Sequence, residues 1–312
     1  MPAGAPEVHD GRQRRGGVRR LRRTAAIAPR ARVFDLKRLN DILINPRYEA
    51  LLVARGLTTL EALLHAEGEV LAKPGLADWR ERLRLPAAGD APALYLKRYV
   101  RPPRTAAAAA RRSGWDARSL AGVEWNVLQA LTRAGIATIE PIAMGEALDR
   151  TRERFSAILT AAVPGDSLER LLMDRPADVT ARRRELIAAT AALAARLHGA
   201  GLVHRDFYLS HLFVDLDRPG TVYLIDVQRV FRPRRWRMAR WIVKDLAALN
   251  YSAPPGLVRR GDRVQWLQAY LGVSKLDAPG RRLGRRVAAK TRRIARHDAA
   301  RQRRLRSGSN AG

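Results

Sequence analysis

From Val33 onward, apolar positions recur in short runs separated by polar breaks, and the period of each run predicts an element. Asp41-Ile42-Leu43-Ile44-Asn45-Pro46 predicts the opening of a helix or a turn, and Tyr48 to Arg55 is apolar at helical period. Leu57 to Leu64 predicts another short amphipathic helix. Gly68 to Leu85 predicts two strands around Lys73-Pro74-Gly75, with Trp79, Arg80 and Arg82 alternating outward. Ala93 to Tyr99 alternates at period two and predicts a strand, followed by a flexible stretch from Pro102 to Gly114. Ala117 to Ala134 predicts a helix with Leu120, Val123, Val127, Leu128 and Leu131 on one side and Gly135 as its C-terminal stop. Short strands follow at Pro141–Gly145 and Phe155–Thr160. Pro164-Gly165 breaks the pattern, and Ser167 caps a helix from Leu168 to Met173. Arg182 to His198 predicts a long helix ended by Gly199 and Gly201. Strands at His211–Asp215 and Thr221–Asp226 flank a turn at Arg218-Pro219-Gly220, and helices come at Met238–Asn250 and Asp262–Leu271.

The order is a small β-rich half, a link near 162–166, and a mainly helical half. It predicts an α+β fold with an N-lobe over 33–163 and a C-lobe over 164–280, flanked by a disordered tail at 1–32 and a helical or disordered tail at 281–312. The 312 residues are 46% hydrophobic, enough for two lobes with a shared or split core. Charge changes the picture of the tails alone. Of the net +29, the nine Arg of 11–32 and the twelve Lys/Arg of 281–306, set against the single Asp298, account for twenty. The remaining surplus of nine is ordinary for a soluble enzyme. There is no cysteine, which excludes disulfides, thiolate catalysis and Cys-based zinc sites and suits a cytoplasmic enzyme. The first residues hold no apolar secretory core, although their Arg-rich, acid-poor texture also fits a transit peptide. No apolar run approaches the length of a membrane span.

The chemistry is concentrated in His204-Arg205-Asp206, with His211 five residues past the aspartate and Asp226 twenty past it. A carboxylate on a tight loop and a second one closing a short apolar strand suit phosphoryl transfer: one aligns and deprotonates a hydroxyl, the other holds magnesium on nucleotide phosphates. In that template the lobes are those of a protein-kinase-like fold. Lys97 on its strand and Glu124 on the following helix take the roles of the phosphate-binding lysine and its glutamate partner in ATP binding. His211 stands where a protein kinase places its second metal-binding Asn. An imidazole nitrogen can serve there as ligand, or the ring can simply bond backbone at the strand start. Asp245, read near the head of its helix, would bond the backbone of the loop at His204 and keep it in shape; the alternative is an acid favoured by the helix dipole. Val227-Gln228 replaces Phe-Gly of the DFG motif, so no DFG-type flip is expected. There is no G-x-G-x-x-G, and Gly75 is the only candidate for a phosphate-covering turn.

Only 19 residues separate Asp226 from Asp245, too few for a protein-kinase activation segment. The acceptor is therefore expected to be a small molecule or glycan rather than a peptide. The interval holds Arg229, Arg232, Arg234, Arg235, Arg237 and Arg240 with Trp236 and Trp241. Arginine forks suit carboxylates and phosphates, and Arg234 and Arg235 are the candidates for an anionic acceptor; a plain solvated face is the other reading.

HRDFYLSHLFV, LIDVQRV, ALYLKRY and EWNVLQALTRAGI together resemble the lipopolysaccharide core heptose kinases and their relatives, over roughly Leu57 to Leu271. The resemblance implies a protein-kinase-like enzyme using ATP and Mg2+ on an inner-core sugar, with Asp206 catalytic and Asp226 metal-binding; it does not fix the acceptor, since the wider group includes kinases of other sugars, and a kinase of another small molecule is the alternative. Tyr208 and His211 belong to that family's motif. Two other classes compete. One is a kinase-like binding protein without catalysis, against which the intact Lys97, Glu124, Asp206 and Asp226 speak. The other is a nucleic-acid-binding protein, which concentrated tail charge and the absence of a recognition module disfavour. Residues 281–306 place Leu283, Val287 and Ile294 at loosely helical spacing among the cations. They predict a basic amphipathic helix on an anionic membrane face, where a glycolipid acceptor is found, or else a disordered tail.

Overall fold

The computed structural model describes residues 37–309 apart from 73–74, 88–91, 107, 109–113, 151 and 219. The expected N-terminal tail and residues 107 and 109–113 of the stretch expected to be flexible lie outside these residues.

The N-terminal half opens with β1 (Lys37–Leu39) and β2 (Ile42–Ile44). Here the expected helix or turn over Asp41–Pro46 gives way to a strand. Ile42 and Ile44 are fully buried, and β2 pairs antiparallel with both β1 and a later strand. A short apolar run has no period long enough to tell helix from buried strand, and cross-strand partners decide it. Helices α1 (Glu49–Ala54) and α2 (Leu60–His65) follow, the second capped by the Thr59 side chain on the Ala62 amide. Next come β3 (Glu69–Val70), β4 (Arg80–Leu85), β5 (Leu94–Val100), helix α3 (Leu120–Arg133), β6 (Pro141–Asp149) and β7 (Arg152–Ala161). The strands form one antiparallel sheet in the order β1-β2-β6-β7-β5-β4-β3. The β6–β7 hairpin is longer than predicted because its far ends pair outside the apolar stretch that announced it.

The second half starts at β8 (Asp166–Ser167) and α4 (Leu168–Asp174), capped as predicted by Ser167, whose hydroxyl accepts from the Arg170 amide. Gly165 sits just before, at φ +78°, where a Cβ would collide with the Val214 carbonyl. Only glycine fits that backbone approach. A six-residue helix, α5 (Pro176–Ala181), begins with proline at its first position and carries no full apolar period; the sequence reading missed it. Then come α6 (Arg183–Gly199), β9 (Leu212–Val214), β10 (Val222–Leu224), α7 (Met238–Ser252), α8 (Arg260–Leu271) and α9 (Ala278–Ser309). Strands β10-β9-β8 form a small antiparallel sheet.

The architecture is the α+β, two-lobed arrangement expected, but the core is not divided at the lobe boundary. One apolar cluster lies between the N-lobe sheet and α1–α2, including Ile42, Leu63, Leu96 and Ile142. The other starts on the opposite side of the sheet at Tyr99 and Ile158, continues through Trp125 and Leu128 of α3, and runs into Leu197, Phe207 and Leu246 of the helical lobe. The chain between α3 and β6 also stitches the lobes. The Leu224 amide donates to the Ala137 carbonyl at 2.9 Å, and the Thr138 hydroxyl donates to the Leu224 carbonyl at 2.6 Å.

The basic C-terminal segment is helical from Ala278 onward and docks on α7. Leu283 and Val287 pack against the main core, the Asn250 amide donates to the Thr291 hydroxyl at 2.9 Å, and the Tyr251 hydroxyl donates to Asp298 at 2.7 Å. Its cations Arg282, Arg285, Arg286, Arg292, Arg293 and Arg296 face solvent.

Candidate active site

Helix α6 ends at Gly199, and Gly201 just beyond it, at φ +75°, turns the chain back across the lobe. Val203 then pairs with Phe231 in an isolated bridge, and His204-Arg205-Asp206 follows as a loop. Asp245 fixes this loop. It lies in the middle of α7 rather than at its head, so the dipole alternative falls away, and it is fully buried. Its Oδ2 accepts from the His204 amide at 2.7 Å and its Oδ1 from the Arg205 amide at 2.9 Å. A buried carboxylate is tolerable because charge-assisted bonds replace water on both oxygens. The bonds also hold Arg205 at φ +73°, a conformation that a side chain adopts only under restraint. Its guanidinium lies over the rings of Phe231 and Trp241 at 5.7 and 5.6 Å.

His204 joins the two halves of the motif. Its Nε2–H donates to the Ile225 carbonyl at 3.0 Å, the residue before Asp226. The ring is fully buried, and burial pushes its pKa below the usual imidazole range against the pull of Asp245, so it is neutral. Asp226 itself sits in the left-handed region at φ +52°, with its carboxylate between Arg82 of β4 and His211. Burial pushes this carboxyl up, but Lys97, His211 and Arg82 outweigh it and hold the pKa below the ordinary value.

His211 makes the backbone bond of one of its two sequence readings. Its Nδ1–H donates to the Asp206 carbonyl at 2.7 Å, which satisfies the backbone reading; whenever the ring is neutral, Nε2 carries the lone pair. That Nε2 faces Asp226 Oδ2 at 3.6 Å. Two electron-pair donors pointed at one another across this gap suit a cation between them. Among the described residues no group of three or more His, Cys, Asp or Glu forms a metal cage. Magnesium commonly takes only one or two protein ligands and completes its shell with phosphate oxygens and water, so the pair fits that ion in a nucleotide complex.

Across the cleft, Lys97 Nζ meets Glu124 Oε1 at 2.5 Å, with the glutamate side chain fully buried and the lysine nearly so. The register of β4 on β5 sets Arg82 opposite Lys97 and Arg80 opposite Tyr99. The two arginines therefore turn to the cleft rather than outward to solvent: Arg82 reaches Asp226 at 4.0 Å, and Arg80 bonds Gln228. Strand alternation alone could not choose which face was the cleft.

Asp206 is ion-paired with Arg229, a residue of the arginine-rich interval that was not singled out from its neighbours. Lys244 on α7 is a second cation there: burial lowers its pKa, and Asp206 raises it. Arg234 and Arg235 lie exposed on the surface turn before α7. The structure thus brings together Lys97, Glu124, Asp206, His204, His211, Asp226 and Asp245, and adds Arg82, Gln228, Arg229 and Lys244.

Residues 109–270 match the model of the Lipopolysaccharide kinase (Kdo/WaaP) family. The chain is 34% identical over 161 residues to the lipopolysaccharide core heptose(I) kinase WaaP of Pseudomonas aeruginosa, covering 47% of this chain and 58% of that one. It is 33% identical over 164 residues to the enzyme of the same name from Escherichia coli K12, covering 48% and 59%. The chain thus spans about three fifths of the length of the curated relatives it matches. A solved structure described as WaaP in complex with acyl carrier protein superposes with a TM-score of 0.57 at 26% identity, over 80% of this chain and 96% of that one. Its fold is the kinase-like one that the motif order led us to expect, and the family match takes in the loop, both aspartates, Glu124 and Asp245: the chain belongs to the lipopolysaccharide kinase (Kdo/WaaP) family.

Proposed function

We propose that this chain is an ATP-dependent kinase that phosphorylates a sugar hydroxyl of a lipopolysaccharide-type core. The observation that carries the reading is the hydrogen-bond chain from buried Asp245 through His204 to the Ile225 carbonyl, which holds Asp206 and Asp226 in fixed relation. In this reading Asp206 aligns the acceptor hydroxyl and takes its proton, and Lys97, steadied by Glu124, meets the nucleotide phosphates. Asp226 and the Nε2 of His211 would hold Mg2+, which when bound neutralises phosphate charge. His204 and Asp245 support the loop. The depressed pKa of Asp226 keeps it anionic at neutral pH, as a ligand must be.

Arg229 on Asp206 supports an anionic acceptor. A carboxylate that must receive a proton is here neutralised by a guanidinium, which has to turn away before the hydroxyl can approach. A phosphate or carboxylate on the acceptor offers it a better bidentate partner. Arg234 and Arg235, exposed on the turn before α7, are the further candidates for holding such an anion. The test is ATP turnover with purified core glycolipid, wild type against Asp206→Asn: a fall of a thousandfold or more is expected, and equal rates sink the mechanism.

No helix among the described residues is long and apolar enough to cross a membrane. We place the enzyme on the cytoplasmic side, with the basic face of α9 against anionic lipid near its glycolipid acceptor. The acyl carrier protein seen with the solved relative supports a second partner class. The helical lobe contains an apolar cavity of about 580 Å3 bordered by Leu172, Leu186, Leu246, Leu249, Leu257 and Val287, a lining that suits an acyl chain.

A further inference from the structure

Gln228 stands two places after Asp226, where the sequence departs from the DFG pattern. Its side chain is half-buried at the junction of the lobes and bonds three different elements. Nε2 donates to Glu124 Oε2 of α3 at 2.8 Å and to the Tyr99 hydroxyl of β5 at 2.8 Å. Oε1 accepts from Arg80 Nη2 of β4 at 2.6 Å. A primary amide has two N–H donors, and both are used. The fully buried Glu124 thereby has each oxygen occupied, Oε1 by Lys97 and Oε2 by Gln228, with the Tyr99 hydroxyl also donating to Oε2 at 3.4 Å. The turn Val227–Arg229 that carries Gln228 follows directly on Asp226 and packs against α3.

We propose that Gln228 is a positioning residue of the nucleotide site, tying the Asp226 turn to Glu124 and through Glu124 setting where Lys97 meets phosphate. The inference rests on the phosphoryl-transfer reading above. A glycine at this position has no side chain to make any of the three bonds. Without them Glu124 has one buried oxygen poorly satisfied, and a swing of α3 away from Lys97 is no longer opposed from the Asp226 side. Arg80 matters in the same way: by bonding Oε1 it orients the amide so that both N–H groups point at Tyr99 and Glu124. The Lys97–Glu124 pair is consequently built before nucleotide binds.

The experiment is isothermal titration of the full chain with AMPPNP and Mg2+, beside steady-state kinetics on core glycolipid. Gln228→Leu keeps the volume and removes the amide. It is expected to weaken Mg2+·AMPPNP binding tenfold or more and to raise the ATP KM in step, with the glycolipid KM within twofold of wild type. In a Glu124→Gln background the same substitution should add little, because the residue acts through Glu124. Wild-type nucleotide affinity in Gln228→Leu, or a fully additive loss in the double variant, overturns the inference. Where Gln228→Leu fails to fold, Gln228→Glu keeps the size and the Arg80 bond but sets like charge against Glu124. It should show the same loss, and unchanged affinity again overturns the inference. A folded wild type that binds no Mg2+·AMPPNP is a different result, which removes the phosphoryl-transfer reading itself.

Discussion

Asp245→Asn isolates the anchor of the catalytic loop. The carboxylate accepts from two backbone amides at 2.7 and 2.9 Å inside a site with no solvent access. An asparagine presents one oxygen and one NH2 to those two amides, so one bond survives and the other N–H faces a donor. Losing a charge-assisted bond and stranding a buried N–H costs about 2–3 kcal/mol. Asp245→Ala strands both amides and costs about 3–5 kcal/mol. In a lobe pair of this size each kcal/mol lowers Tm by about 2–4 °C, so the asparagine variant should melt roughly 5–10 °C early. Catalysis should suffer more than stability. Arg205 is held at φ +73° by these bonds, and relaxation of that strain moves Asp206. A displacement near 1 Å costs on the order of a hundredfold in rate. Thermal unfolding and ATP turnover, both measured well below the variant's Tm, separate the two effects. An Asp245→Asn protein with wild-type Tm and wild-type kcat refutes the anchoring argument.

Further outcomes follow from the same geometry. His204 has a folded pKa below its ordinary 6.5, so its stabilising contribution is complete above pH 6.5 and is lost as pH falls toward the lower folded value; Tm should decline between pH 7 and 5, and His204→Gln should flatten that decline. Replacing Arg234 and Arg235 with Glu should raise the acceptor KM about tenfold and spare the ATP KM; an unchanged acceptor KM returns these residues to the solvated face. Arg292→Glu, Arg293→Glu and Arg296→Glu together should abolish flotation with anionic liposomes while leaving Tm within a few degrees, and undiminished flotation removes the membrane reading. Charge reversal is preferable to truncation at residue 281 because Leu283 and Val287 belong to the core.

Where the sequence was readable, one residue carried a local physical demand. Ser167 before an apolar run could only cap a helix, and Gly135 and Gly201 mark left-handed turns that the structure places at φ +67° and +75°. The β5 strand was legible because its alternation is long. The β2 strand was not, because three apolar residues have no period and its identity depends on partners a hundred residues away in β6. The face of β4 was illegible for a related reason. Alternation shows that Arg80 and Arg82 share a side, but only the register against β5 makes that side the cleft. The segment after residue 280 was legible as a basic helix carrying Leu283 and Val287, but not as one docked on the helical lobe. Twelve cations overshadow the few apolar positions that dock it, and burial of a narrow stripe is enough to make a charged helix part of a lobe.

The candidate site divides along the same line. Asp206, Asp226, Lys97 and Glu124 were legible because chemistry restricts residue type at each position. Arg229, Lys244 and Gln228 were not, since arginine, lysine and glutamine are common in any surface interval and nothing in their spacing points inward. Yet these unannounced residues show how the site differs from a regulated protein kinase. A kinase switched by a DFG flip needs a glycine that lets the turn rotate and a glutamate helix free to swing. Here the glycine position holds a C-lobe amide bonded to three N-lobe residues, Arg80, Tyr99 and Glu124, and the helix partner has no free oxygen. Regulation at the nucleotide side is thereby opposed by several buried bonds at once. The Arg229 guanidinium on Asp206 is by contrast exposed. An exposed pair of this kind is worth little energetically and exchanges readily for another anion. On the proposed kinase reading, an arriving acceptor anion would draw Arg229 away from Asp206, whereas Lys97 and Glu124 are already paired.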